Sequence, residues 1–136
     1  MSWTLYEAIV TQVPEAIVAA DRDGLITVWN AGAEALFGFA RDEALGASLD
    51  LIIPERLRAP HWAGMRRAIE ARRTLGGPQV RTTRGVHKTG RPLYVDLSFA
   101  LLTDAAGEVV GAVAVGRDAT ARWLEERARR SEAPSG

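Results

Sequence analysis

Apolar residues recur at helical spacing over the first thirteen positions (Trp3, Leu5, Tyr6, Ile9, Val10, Val13), and Pro14 ends the pattern. This predicts an N-terminal amphipathic helix over 1–13. Two short β-rich runs follow, 16–20 and 25–29, around Asp21-Arg22-Asp23-Gly24, and such a pair predicts a hairpin. Asn30 is placed to cap a short helix over 31–37, closed by Gly38, and 41–45 repeats that plan in one turn before Gly46. Leu49–Ile53 is a brief apolar piece. Pro60 suits the first turn of a longer helix that runs to about Arg73, where Gly76, Gly77 and Pro78 break it.

The last third reads as strands. Residues 79–87 lead into a turn at Lys88-Thr89-Gly90. Over 94–102 the pattern alternates, with Tyr94, Asp96, Ser98 and Ala100 on one face and Val95, Leu97, Phe99 and Leu101 on the other. Asp104–Glu108 turns the chain into a last strand, 109–117, rich in valine and small residues. A charged helix begins at Thr120 and frays from Ser131 to Gly136. Two strands, short helices, one longer helix and three strands predict a single α+β domain on an antiparallel sheet. The expected divisions are a flanking helix over 1–13, a central domain over 14–119 and a C-terminal helix and tail over 120–136.

Composition narrows the chemistry. Seventeen basic and seventeen acidic side chains cancel to a net charge of zero, which argues against a dedicated nucleic-acid binder. With no cysteine, disulfides, thiolate nucleophiles, cysteine metal sites and thiol-adduct flavin photochemistry are excluded. The N-terminus has no basic residues ahead of an apolar run, and the longest apolar stretches fall far short of the ~20 residues that span a bilayer. A cytoplasmic protein without membrane contact is the expectation. Two distant histidines make no zinc site, the aspartates are turn formers, and no nucleophile elbow or phosphate loop is present. Enzymatic turnover is not expected.

Four blocks carry a family resemblance. Asp21–Ile26 followed by Trp29–Phe39 resembles the first signature of PAS sensory domains, and Ile53-Pro54-Glu55-Arg56 is similar to that family's entry into its central helix. His87–Pro92 resembles its turn between the third and fourth strands. Gly116-Arg117-Asp118-Ala119-Thr120 resembles the closing element before a signalling helix. The blocks stand in order over about residues 5–125. The resemblance implies a PAS fold: a five-stranded antiparallel sheet in the order 2-1-5-4-3, helices on one face, and a pocket between sheet and central helix. It also implies a sensory role in signal transduction, exercised by binding a small ligand or cofactor, by homodimerisation and through an effector or output domain outside this chain.

His61 is the leading candidate for pocket chemistry. Leu57, His61, Gly64, Met65 and Ala68 form one stripe of the central helix, so the imidazole projects from its apolar face. Imidazole is a common axial donor to haem iron. This arrangement resembles oxygen-sensing haem PAS domains, in which the proximal histidine follows the same entry motif. In that comparison Arg81 falls where those sensors place an arginine that hydrogen-bonds the bound gas, and Leu97 and Phe99 fall on the gas side. The candidate cofactor-binding set is therefore His61, Arg81, Met65, Leu97 and Phe99, with haem b as the cofactor and His61 as its metal ligand. The chain departs from those sensors in lacking their second histidine and glycine pattern over 77–85, and in carrying a bulky Phe99. Arg84 would replace Arg81 as the inward arginine if the strand slipped by one residue. The other use of the fold is a ligand-free interaction and dimerisation module with His61 as a core histidine. His87, beside a turn, is expected to be exposed. The arginines at 56, 58, 66, 67, 72 and 73 read as a solvated band, and Arg117 and Asp118 as an ion pair tying the last helix to the last strand.

Overall fold

The structure, a computed structural model, describes residues 4–73 and 79–132. The expectations for Trp3, for the Gly76-Gly77-Pro78 break and for the last four residues lie outside them. The element order is α1 (Leu5–Gln12), β1 (Ala16–Asp21), β2 (Ile26–Trp29), α2 (Ala31–Phe37), α3 (Arg41–Ala44), a 3-10 turn (Leu49–Ile52), α4 (Glu55–Ala71), β3 (Arg81–Val86), β4 (Pro92–Thr103), β5 (Val109–Asp118) and α5 (Thr120–Glu132). The strands form one antiparallel sheet in the order β2-β1-β5-β4-β3.

Local chemistry explains the hairpin. The Asp21 carboxylate accepts from the backbone N–H of Asp23 (2.9 Å) and of Leu25 (3.0 Å), and Gly24 takes φ +80°, a conformation that a side chain would strain. Asn30 does more than cap α2. Its Oδ1 accepts from Ala33 N–H (2.9 Å) and Ile17 N–H (2.8 Å), while its Nδ2 donates to the carbonyls of Val10 and Glu15 at 2.9 Å each. One buried amide thereby joins α1, β1 and α2.

The tight core sits at one end of the sheet, beneath α2. Trp29 and Phe37 are almost wholly buried with ring centroids 5.4 Å apart, and the Trp29 indole donates to the Phe39 carbonyl at 3.0 Å. Ile26, Leu93 and Val95 complete it. Pairing of Arg81 with Leu97, Thr83 with Val95 and Gly85 with Leu93 puts those residues on the core-facing side of β3 and β4. Arg84 pairs with Tyr94 on the other face, its guanidinium 5.9 Å from the Tyr94 ring centre; Arg81 and Arg84 are both exposed, and both border the cavity under α4.

Two local expectations are corrected. The long helix begins at Glu55 rather than at Pro60, which lies inside it. Pro60 is exposed, and removing its N–H costs only the bond to the Arg56 carbonyl, one turn back on the same exposed side. Arg117 pairs with Glu15 across the sheet instead of with Asp118, whose carboxylate accepts from Thr120 N–H (2.8 Å) at the start of α5. Beyond that start, α5 docks on the outer face of the sheet. Trp123 stacks on Tyr94 (4.7 Å between centroids), and Arg122 grips Asp96 at 2.5 and 2.9 Å. Hydrogen bonds from Arg122 and Thr82 hold the Asp96 carboxyl at about 2, below its usual 3.8.

Candidate functional site

Adjoining that core, and sharing Phe37 and Val95 with it, the inner face of β1, β5 and β4 and the facing side of α4 border a cavity of about 710 Å³. Its size falls within the range of small-molecule and cofactor sites. Every residue of α4 keeps some exposure, so the helix stands over the chamber rather than sinking into the sheet. All five sequence candidates meet here: His61 and Met65 from α4, Arg81 from β3, Leu97 and Phe99 from β4. Phe99 is 39% exposed and lies toward the open side.

His61 is half-buried in the α4 wall, and its Nδ1 is buried without a hydrogen-bond partner among the described residues. Burial lowers its pKa from 6.5, opposed in part by the nearby Asp50 carboxylate. A neutral imidazole is the result at physiological pH. Its ring meets that of Trp62 edge-on, with centroids 5.0 Å apart.

The residues that hold this wall were not among the sequence candidates. Trp62 Nε1 donates to Asp50 Oδ1 at 2.8 Å, and its indole lies so close over Gly24 that a Cβ there would come within 1.9 Å of it. Arg58 donates to the carbonyls of Ile53 (3.1 Å) and Asp50 (3.2 Å). The first two turns of α4 are thus pinned to the β1–β2 turn and the 3-10 turn. Arg67 borders the chamber while remaining exposed, and within the band expected to be solvated it is Arg58, half-buried on its two carbonyls, that departs. The only sequence signal for Arg67 was its place three residues beyond Gly64.

His87 is half-buried rather than exposed. Its ring packs over Gly38, and its Nδ1 accepts from Thr89 N–H at 3.2 Å, a turn-forming role remote from the chamber. Among the described residues no group of histidines and carboxylates could hold a metal ion unaided, and no helix is long and apolar enough to cross a membrane.

A family profile for the PAS fold matches residues 10–123. The chain belongs to the PAS family. Its PAS domain is 28% identical over 100 residues to the sensor protein FixL of Bradyrhizobium diazoefficiens, a match covering 71% of this chain but only 19% of FixL. Among solved structures it resembles a PAS domain from Colwellia psychrerythraea (TM-score 0.72, 25% identity, 85% of this chain and 93% of that one). It also resembles an RNA-binding light-oxygen-voltage receptor (TM-score 0.68, 19% identity, 94% of this chain and 37% of that one), a likeness of fold alone. PAS domains of this kind are sensory parts of signalling proteins, and the chain is one of them.

The residues on the chamber wall suit haem. An apolar lining with one neutral imidazole, its Nδ1 without a partner among the described residues, offers a donor, and Arg67, Arg81 and Arg84 bring cations to its border.

Proposed function

We propose that this PAS domain binds haem b in the chamber beneath α4, with His61 as the axial ligand, and senses a diatomic gas. The observation that carries this is the His61 imidazole, kept neutral by burial, on the wall of an apolar cavity of about 710 Å³. When bound, haem supplies an iron that takes up gas or an electron. The chain's own residues prepare that chemistry. His61 presents an unprotonated nitrogen, because desolvation disfavours the imidazolium. Trp62 and Asp50 fix the helical turn that carries it. Arg81 and Arg67, exposed at the chamber's border, offer charge-assisted hydrogen bonds to negative charge on the ligand's edge. Leu97 and Met65 keep water from the inner walls. A cavity this large supports an occupied chamber over a ligand-free module.

The domain works by binding rather than turnover, as a cytoplasmic part that passes its state to an effector through α5. It pairs with a second copy through α1, whose Leu5, Tyr6 and Ile9 are 71%, 79% and 49% exposed. Sedimentation equilibrium reads that pairing, and an Ile9→Glu variant is expected to shift it to monomer.

The decisive test is the absorption spectrum of protein supplied with haem, taken under air, after reduction and with carbon monoxide. A Soret band that shifts with gas and is lost in His61→Ala is the expected result. Protein that stays colourless and fails to take up added haemin overturns the proposal.

A further inference from the structure

The two halves of α4 are held differently. Over the first two turns, Arg58 reaches the carbonyls of Ile53 and Asp50, and Trp62 is hydrogen-bonded to Asp50 and laid over Gly24. Beyond Trp62, among the described residues, one polar contact ties the helix to the sheet: the ion pair of Arg72 with Glu108 at 3.7 Å. Both of those side chains are more than half exposed, and such a pair holds weakly. The helix ends there on Arg72 at φ +57°, a left-handed cap that glycine takes without strain. Underneath, Met65 and Ala68 face the chamber, and no residue of this half is buried.

Gly64 stands at the junction of the two halves. Glycine is among the poorest residues for a helix interior, because it leaves the backbone free to take other conformations. Elsewhere in this chain close packing demands it: a Cβ at Gly32 would come within 2.3 Å of the Glu15 carbonyl oxygen. At Gly64 a Cβ would meet nothing closer than Arg67 Nη2 at 3.9 Å, so packing gives no reason for glycine. We propose that Gly64 is a hinge, and that the last two turns of α4, residues 65–71, swing from the sheet as a lid under which the chamber is entered. The first two turns stay anchored, and His61 stays with them. The hinge goes beyond the haem reading and does not rest on it: a failed haem test leaves it standing.

Two measurements on the ligand-free full chain test it. A bend at Gly64 opens the hydrogen bonds that span it, from the amides of 65–68 to the carbonyls of 61–64. Hydrogen exchange read residue by residue is therefore expected to be at least about tenfold faster at 65–68 than at 61–63, and faster than at 69–71. Gly64→Ala is expected to slow exchange at 65–68 about fivefold, as the helix propensity of alanine implies. Exchange that is fastest at 69–71 and falls steadily toward 65 is fraying from the end, and it overturns the hinge. The lid is read by a thiol. The chain has no cysteine, so Ala20→Cys, at a position that lines the chamber and is 3% exposed, carries the single reactive group. A maleimide is expected to label it at a rate insensitive to low urea, and about fivefold more slowly when Gly64→Ala is added. Labelling that climbs with urea along the full unfolding slope, or that Gly64→Ala leaves unchanged, overturns the lid.

Discussion

The packed core beneath α2 and the chamber beneath α4 lie side by side on the sheet's inner face and use it in opposite ways. Beneath α2, large side chains close on one another: Trp29, Phe37, Ile26, Leu93 and Val95 are almost wholly buried. Beneath α4, alanines and Gly64 stand among Met65, Leu97 and Phe99 around a chamber of about 710 Å³ that they do not fill, and the helix above keeps every residue partly exposed. Strand β4 passes from one regime to the other within a few residues, from buried Val95 to Phe99 at the open side. Side-chain volume has been spent where it stabilises and withheld where it would obstruct. Trp29, Ile26 and Leu93 serve the core alone while Phe37 and Val95 also line the chamber, so stability and ligand capacity are separable at residues that belong to only one of the two.

The sharpest way to break that contrast is to cut into the packed end. Trp29→Ala is expected to cost about 3–5 kcal/mol in urea unfolding, the range for removing a buried aromatic side chain. Next comes Asn30→Asp, which removes the Nδ2 donors to Val10 and Glu15 and sets a carboxylate against their carbonyls. A loss of about 3 kcal/mol is expected from the same measurement. At the chamber end Met65→Ala is expected to cost under about 1 kcal/mol, because Met65 is only half-buried. A Met65→Ala penalty equal to that of Trp29→Ala would mean that the chamber wall is ordinary core.

The smallest expected effect is electrostatic. The folded pKa of His61 lies below 6.5, so the unfolded chain binds the proton more readily. Its contribution to stability is intact above 6.5 and is lost as pH falls from there through the lower folded value. Urea unfolding at pH 7 and pH 5 is expected to show a smaller difference in His61→Gln than in wild type. Equal differences would place His61 in solvent.

Much of the fold was legible because period-2 alternation over 94–102 and the Asp–Gly turn signal are local. His61 was legible for a similar reason: its stripe repeats every three to four residues on one helix. The start of α4 was not, because Pro60 signals a first turn by its chemistry and sits in the sixth position by virtue of exposure. The Asp50–Trp62 hydrogen bond and the packing of Trp62 on Gly24 join segments that only the folded chain brings together. Arg117 was read against its neighbour Asp118, and only the strand register, which sets Ala16 opposite Gly116, brings it to Glu15, far away in the chain. Gly64 was visible as a member of the stripe, but its cost became apparent only with open space beside it.

The partial exposure of α4 also has a calorimetric consequence. The heat capacity of unfolding follows the apolar surface that folding removes from water, and a chain of this length would ordinarily show about 1.6–2.0 kcal/mol/K. Here part of the apolar lining under α4 remains hydrated in the ligand-free fold. Its unfolding increment is expected to fall below that range, and the deficit to return as a negative heat-capacity change when a ligand fills the chamber. In thermal terms the ligand completes a burial that the polypeptide leaves unfinished.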